Sequence, residues 1–546
     1  MARRKPAAAR SAGASSVKQT NPSAIKAPAT PLPTWQWWLL AAAVPIYLLA
    51  SRLTLDFWVD EVYTIYDFAA QPVARIVTDY SAPNNHILYS LVLHPLAVVT
   101  QREIWLRLPS FLFAVATLAI IFRLVHRLAG LSAAVAGTLA LGLNVMFLTH
   151  AVQVRGYSLS MLLAAWLMDL AAPRAQPARL AKLLSITLAG AAFLYVMPSN
   201  AIFLAPLAVA AVVLAWRLAT PLAESRRRPI PWSVVISWFA AWPLALAAYL
   251  PILKQVRAAA GGAGGPLDWS SLMELIRDVY WAAGHDLLPL LIALPVVVYR
   301  LLRTRSVPST PANKEKETAT PPAITLLALM TAMLIAPLMA CWLLGSTPFV
   351  RNFCPLLPTL AVGVGWFAGI LLGDNAAITG KADPRGALPW VALVLVFAVM
   401  LPPVLRYPGR LDAVRSQRFA QDGYYNYYAA DFEPSRVARY LGSKIRPDED
   451  FLVLYADGDQ YNLAHYLQLA GIPIPPKRLT ETSPGKARAK IFCVVPEFAQ
   501  WDELAKIAGV GVEQLRKYPL VERVGYYRIY ASPEPVEISI PGSISR

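Results

Sequence analysis

Apolar residues run along the first three quarters of the chain in blocks of about twenty, the length a helix needs to cross the hydrocarbon of a bilayer. The blocks fall at 35–52, 104–126, 131–150, 155–172, 180–199, 201–219, 232–253, 286–303, 322–345, 350–373 and 387–405. They are continuous and do not alternate with polar positions. The pattern therefore predicts membrane-spanning helices and excludes the alternating strands of a β-barrel. One further stretch, NNHILYSLVLHPLAVVTQ at 84–101, is apolar but short, and His94-Pro95 interrupts it.

Charge decides how that stretch lies. With a cytoplasmic N-terminus and 84–101 not spanning, the basic clusters around Arg123, Arg174, Arg226, Arg300, Lys314 and Lys381 all fall on the cytoplasmic side. That is the positive-inside rule; if 84–101 spans, every later cluster inverts. The expectation is eleven spans, with 84–101 a re-entrant or interfacial helix on the outer face. Residues 1–34 are basic and free of acids, with no apolar core before Trp35. They read as a disordered cytoplasmic tail that can meet anionic lipid, not as a signal peptide.

Composition agrees with a membrane protein: 56% of residues are hydrophobic, 15% are charged, and the mean hydropathy is +0.45. The net charge of +17 is accounted for by the loops, so no nucleic-acid partner is implied. Three cysteines, Cys341, Cys354 and Cys493, form no CxxC pair and suggest packing instead of a metal or disulfide framework. After residue 405 the character changes. DFEPSRVARYLGSKI, DQYNLAHYLQLAG and FAQWDELAKIAG predict helices, and DFLVLYA, KIFCVVPE and VERVGYYRIYAS predict strands. Residues 406–546 are thus expected to form a small extracytoplasmic α/β domain with a mainly parallel sheet, after a transmembrane domain at 35–405.

In this topology several polar features share the outer face. Asp60-Glu61 follow the first block inside FWVDEVYTIYDF, among Trp58, Tyr63 and Tyr66. A carboxylate in a partly dry pocket is suited to act as a general base. Adjacent helical residues point about 100° apart, so one acid faces the reacting centre and the other orients the loop. Asn84-Asn85-His86 begin the short helix, a place that favours an anion. Gln153 and Arg155 precede one block and Arg351 opens another. The loop at 254–285 adds Glu274, Arg277, Asp278 and His285, with Asp286 next in sequence. Two arginines, a histidine and two carboxylates on one face fit an anionic lipid headgroup with acid–base chemistry beside it.

Five segments in order carry a family resemblance: DFWVDEVYTIYDF, NNHILYSLVLHPL, EIWLRLPSFLFAVATLAIIFRLVHRLAG, GLNVMFLTHAVQVRGYSLSMLLAAWLM and VRNFCPLLPTLAVGVGW. The chain resembles the GT-C glycosyltransferases of the protein-mannosyltransferase and aminoarabinose-transferase type, a superfamily that includes the rhizobial galacturonosyltransferases. The resemblance implies interfacial helices in the first outer loop. It also implies an inverting transfer of a sugar from a polyprenyl-phosphate donor to an envelope acceptor, whether lipid A or its core, a glycan, a lipid or a protein. By the same resemblance Asp60 is the catalytic base with Glu61 its companion, and His86, Arg155 and Arg351 bind the donor phosphate. Asn85, Gln153 and Tyr63 line the substrate. Asn85 stands where one branch carries an acid that helps to hold a metal, so neither metal nor other cofactor is expected. The enzyme would be a multi-pass protein of the inner membrane. Competing readings are a transporter or flippase for a lipid-linked sugar, an oligosaccharide ligase or polymerase, and a structural subunit.

Overall fold

The computed structural model describes residues 32–172, 180–218, 230–260, 268–284, 287, 292–305, 322–345, 348–372, 388–405, 433–445, 451–455, 460–472, 486–496, 501–508, 510–525 and 527–539. Among these, five helices are long and apolar enough to cross a membrane: Glu103–Ala129, Pro198–Arg217, Trp232–Ala258, Ile324–Leu344 and Val350–Leu372. Shorter apolar helices, Thr34–Ala50, Leu131–Gly142, Tyr157–Ala171, Leu180–Val196 and Pro389–Leu405, occupy five more of the predicted blocks. The predicted block at 286–303 lies partly outside the described residues and is helical from Leu294. His285 and Asp286 also lie outside them. Helix Ile87–Ala97 has 11 residues, roughly 16 Å at 1.5 Å per residue, about half the hydrocarbon thickness.

Lipid is the solvent that the outer faces of these helices fit. Leu112, Leu188, Val209, Leu327, Leu343 and Val394 are all more than half exposed, and apolar exposure on that scale is not a water-facing surface. Inside the bundle the determinant is small residues. Helix Leu131–Gly142 has the sequence LSAAVAGTLALG and buries every residue after its first. A Cβ on Gly137 would stand 2.7 Å from the Ala361 carbonyl oxygen, and one on Gly365 would stand 2.5 Å from that of Ala133. The two helices therefore meet backbone to backbone, the close approach that small residues permit in membranes. The block predicted at 131–150 is not one helix. It breaks at Asn144, whose side chain accepts the Phe147 N–H at 3.1 Å and starts Val145–His150 anew.

At one end of the bundle Asp169, 1% exposed, pairs with Arg123 at 2.7 Å and Arg127 at 3.0 Å. The two helices that this joins, Glu103–Ala129 and Tyr157–Ala171, carry Arg107 and Arg155 at or beside their other ends. The three cysteines are free and buried.

The C-terminal region holds a five-stranded sheet of β1 (Phe451–Tyr455), β2 (Lys486–Pro496), β3 (Leu520–Val524), β4 (Tyr527–Ala531) and β5 (Val536–Ser539). The order is β1-β2-β4-β3, with β5 pairing the first half of β2. Among the described strands only β1 and β2 run parallel; the other pairs are antiparallel, which corrects the expected mainly parallel sheet. For β3 and β4 the reason is Gly525, whose φ of 56° turns VERVGYYRIYAS back on itself. Two residues between β3 and β4 suffice for a hairpin and are far too few for a parallel crossover.

Candidate active site

Asp60 and Glu61 sit in the first turn of Val59–Tyr63, a short helix that continues as a π-helical turn to Ala69. Their side chains diverge. Glu61 is wholly buried and forms a two-pronged pair with Arg107, Nη2 to Oε2 at 2.7 Å and Nε to Oε1 at 3.0 Å. The same carboxylate accepts the Trp58 N–H at 2.9 Å, the return half of a capping box, and the Val154 N–H at 2.8 Å. Arg107 also donates to the carbonyls of Arg52, Leu55 and Asp56. Every strong acceptor direction of Glu61 is therefore occupied. One acid of the pair was expected to face the reacting centre and the other to orient the loop; Glu61 is the second, and it fastens the loop to the bundle through Arg107.

Asp60 points the other way and keeps 20% of its side chain exposed. Its Oδ2 lies 2.8 Å from Arg155 Nη1 and 3.4 Å from Arg351 Nη2. Its Oδ1 accepts the Asn84 carboxamide N–H at 3.1 Å. Burial pushes the Asp60 carboxyl up, but the two guanidiniums and the Asn84 bond outweigh it and hold the group below the usual carboxylate range. Asp60 is thus ionised at neutral pH.

Arg155 is 3% exposed along its side chain and lies over the Tyr157 ring, 5.3 Å from its centroid. Arg351 opens the 3-10 turn Val350–Leu356 and lies 4.7 Å from the Phe349 ring centroid. Its side chain is 23% exposed, so it and Asp60 form the accessible side of the cluster. Three distant pieces of sequence thus meet at one carboxylate, with one formal positive charge in excess.

The remaining expected residues are placed differently. His86 was expected to hold phosphate as a cation, yet it is 3% exposed and its Nδ1 accepts the Gly156 N–H at 2.7 Å. Burial first, then the nearby Arg155 and Arg351 charges, holds its pKa well below the ordinary histidine value. It is a neutral brace for the turn carrying Arg155. Asn85 was expected to touch substrate, but it is fully buried and donates to the carbonyls of Ile76 and Asp79 at 2.9 and 2.7 Å. It also accepts from Ser90 at 2.9 Å, so all of it serves to fold the loop. Gln153, likewise expected at the substrate, is 3% exposed and faces His150, Oε1 to Nδ1 at 3.3 Å. Tyr63 packs edge-on to Phe68 with ring centroids 5.7 Å apart.

Arg107 was missed as a site residue, and Asn84 was expected as part of the helix start, not as a partner of Asp60. Arg107 had a signal: an arginine inside an otherwise apolar span needs a buried partner. The tie from Asn84 to Asp60 had none, because a helix-start asparagine reads as an ordinary cap. Among the described residues no three His, Cys, Asp or Glu side chains converge as a metal site, and Asn85 is committed to backbone carbonyls.

The turn between Arg155 and Tyr157 leaves no room at Gly156. A Cβ there would stand 2.6 Å from Val196 Cγ1 and 2.9 Å from His86 Nδ1. Gly156→Ala is expected to cost about 1–3 kcal/mol through overpacking, read as a lowered thermal midpoint of the purified protein. A wild-type midpoint would show that the turn has slack.

The fold of this chain is similar to that of solved membrane-protein structures. The crystal structure of ArnT from Cupriavidus metallidurans in the apo state matches with a TM-score of 0.50 at 14% identity, over 91% of this chain and 98% of that one. The same protein bound to undecaprenyl phosphate gives 0.48 at 15% identity over the same shares. The Archaeoglobus fulgidus oligosaccharyltransferase tethered with an acceptor peptide gives 0.41 at 10% identity, over 92% of this chain and 76% of that one. No family model matches the chain, and no curated protein matches it in sequence. At 14% identity the likeness to the apo ArnT structure is one of fold.

Proposed function

We propose that the chain is an inverting glycosyltransferase that moves a sugar from a polyprenyl phosphate to an acceptor of the cell envelope. The proposal places the site on the outer face of the inner membrane, with eleven spans and residues 406–546 outside. The observation that carries it is the half-open Asp60 carboxylate between Arg155 and Arg351, on a fold of the GT-C kind.

The charges account for the chemistry. A polyprenyl-phosphate sugar is a phosphodiester with one negative charge, which the single excess positive charge of the cluster matches. As the bond from the anomeric carbon to the phosphate oxygen breaks, the electron pair leaves with polyprenyl phosphate and a second negative charge develops there. Arg155 and Arg351 stabilise that charge, as preorganised cations do best in a site closed from water. Drawn to the phosphate, they release Asp60 and make it a stronger base. Asp60 then takes the proton of the acceptor hydroxyl as its oxygen bonds to the anomeric carbon from the opposite side. Holding both partners converts a bimolecular encounter into a local one. Asn84, His86, Glu61 and Arg107 hold the parts in place.

Undecaprenyl phosphate is the probe. Arg351→Ala is expected to weaken its binding to the purified protein about tenfold or more, the loss of one charge-assisted contact to phosphate. Undiminished affinity would contradict the phosphate role.

A further inference from the structure

The Asp60 loop is held from two sides, and only one of them belongs to the membrane bundle. Arg107 fastens it from the bundle. From the other side it is held by residues some four hundred positions later. The Phe57 N–H donates to the Tyr466 hydroxyl at 2.7 Å, and that hydroxyl donates to Glu103 Oε1 at 2.7 Å. Asp56 Oδ2 accepts the Ser435 N–H at 2.7 Å. Tyr66 Oη and His465 Nδ1 are 2.8 Å apart, and the His465 ring lies 5.6 Å from that of Phe57. Ser435 and Tyr466 come from the helices Pro434–Lys444 and Gln460–Leu469 of the C-terminal region.

These ties surround the helix start. Asp56 and Phe57 immediately precede the Val59–Tyr63 helix, and Tyr66 lies one turn beyond it. Tyr466 is 4% exposed and Phe57 is wholly buried, so the Tyr466 hydroxyl has no water to exchange for its two partners. A hydroxyl that accepts from a main-chain N–H and donates to a carboxylate has direction as well as strength. It sets where the first turn begins, and the first turn sets where Asp60 points.

We propose that the C-terminal α/β region is a positioning element of the active site, with Tyr466 and the Ser435–Asp56 tie holding the Asp60 helix in register with Arg155 and Arg351. This rests on the proposed function above. It gives the region a part in the transfer step itself, beyond any role in meeting the acceptor.

The test uses the full chain in lipid nanodiscs and two variants, Tyr466→Phe and Asp56→Ala, with Asp56→Asn as the conservative control that keeps an acceptor oxygen. Three quantities are read: hydrogen exchange over residues 56–66, affinity for undecaprenyl phosphate, and the level of glycosylated product in a complemented deletion strain. Tyr466→Phe is expected to raise exchange in that segment about tenfold, to leave lipid-phosphate affinity within about twofold, and to lower product about tenfold. Asp56→Ala should do the same and Asp56→Asn should recover. Wild-type exchange in both variants overturns the proposal, and so does raised exchange with undiminished product. If neither variant accumulates in the membrane, the joint is a folding contact and the proposal is wrong. Full product from Asp60→Asn would instead overturn the glycosyltransferase reading, and the exchange data would still report whether the region holds the loop.

Discussion

Asp60→Asn is expected to lower transfer on the order of 10²–10⁴-fold, the usual contribution of a positioned general base, while the protein still takes up undecaprenyl phosphate. The substitution keeps the shape of the side chain and an oxygen for the Asn84 carboxamide, which lies 3.1 Å from Asp60 Oδ1. It removes only the charge. That charge occupies Arg155 and Arg351 when the site is empty, at 2.8 and 3.4 Å. Its loss frees both guanidiniums, so lipid-phosphate affinity should hold or rise as transfer collapses. The opposite directions are informative. A binding-only site would lose neither quantity selectively, and a structural ion pair would lower both through instability. Titration of undecaprenyl phosphate against wild type and Asp60→Asn, beside the product level, separates the three.

The largest effect on stability is expected at Arg107. Its pair with Glu61 is wholly buried on both sides, and removing one partner strands the other charge in the interior. Such losses run to about 3–5 kcal/mol, a large fraction of the margin of a typical fold. Arg107→Leu should therefore lower the thermal midpoint sharply or prevent accumulation in the membrane. Glu61→Leu combined with Arg107→Leu should cost less than the two singles summed, because no charge is left unpaired. An unchanged midpoint for Arg107→Leu would show that water reaches the pair.

How much of this was legible in sequence depends on what each residue's neighbours reveal. The five long apolar helices were readable because lipid demands about twenty apolar residues in a row. The break at Asn144 was not, since hydropathy continues across it and only the side chain's bond to Phe147 N–H marks a new helix start. The hairpin inside VERVGYYRIYAS carried its signal in Gly525, but the alternation on either side reads as one strand. Asp60, Arg155 and Arg351 were each readable as polar residues at the ends of apolar blocks. That they meet at a single oxygen is a matter of tertiary packing.

The run Asn84-Asn85-His86 shows the limit most clearly. Three consecutive residues turn to three different places: Asp60 for the first, the Ile76 and Asp79 carbonyls for the second, Gly156 for the third. Adjacency in sequence says nothing of that divergence. The same holds for Asp60-Glu61, where the helical angle predicted that the two acids must part but not that Glu61 would be committed to Arg107. The ties from Tyr466 and Ser435 lay beyond sequence reasoning altogether, since nothing local links them to residues 56–66.

The most direct measurement is mass spectrometry of envelope lipids and glycans from a strain lacking this gene, complemented with wild type or with Asp60→Asn shown to be folded in the membrane. The account predicts that one sugar-sized mass disappears on deletion and returns with wild type alone. Full restoration by Asp60→Asn would contradict it, because the acid between the two arginines would then have no part in the chemistry.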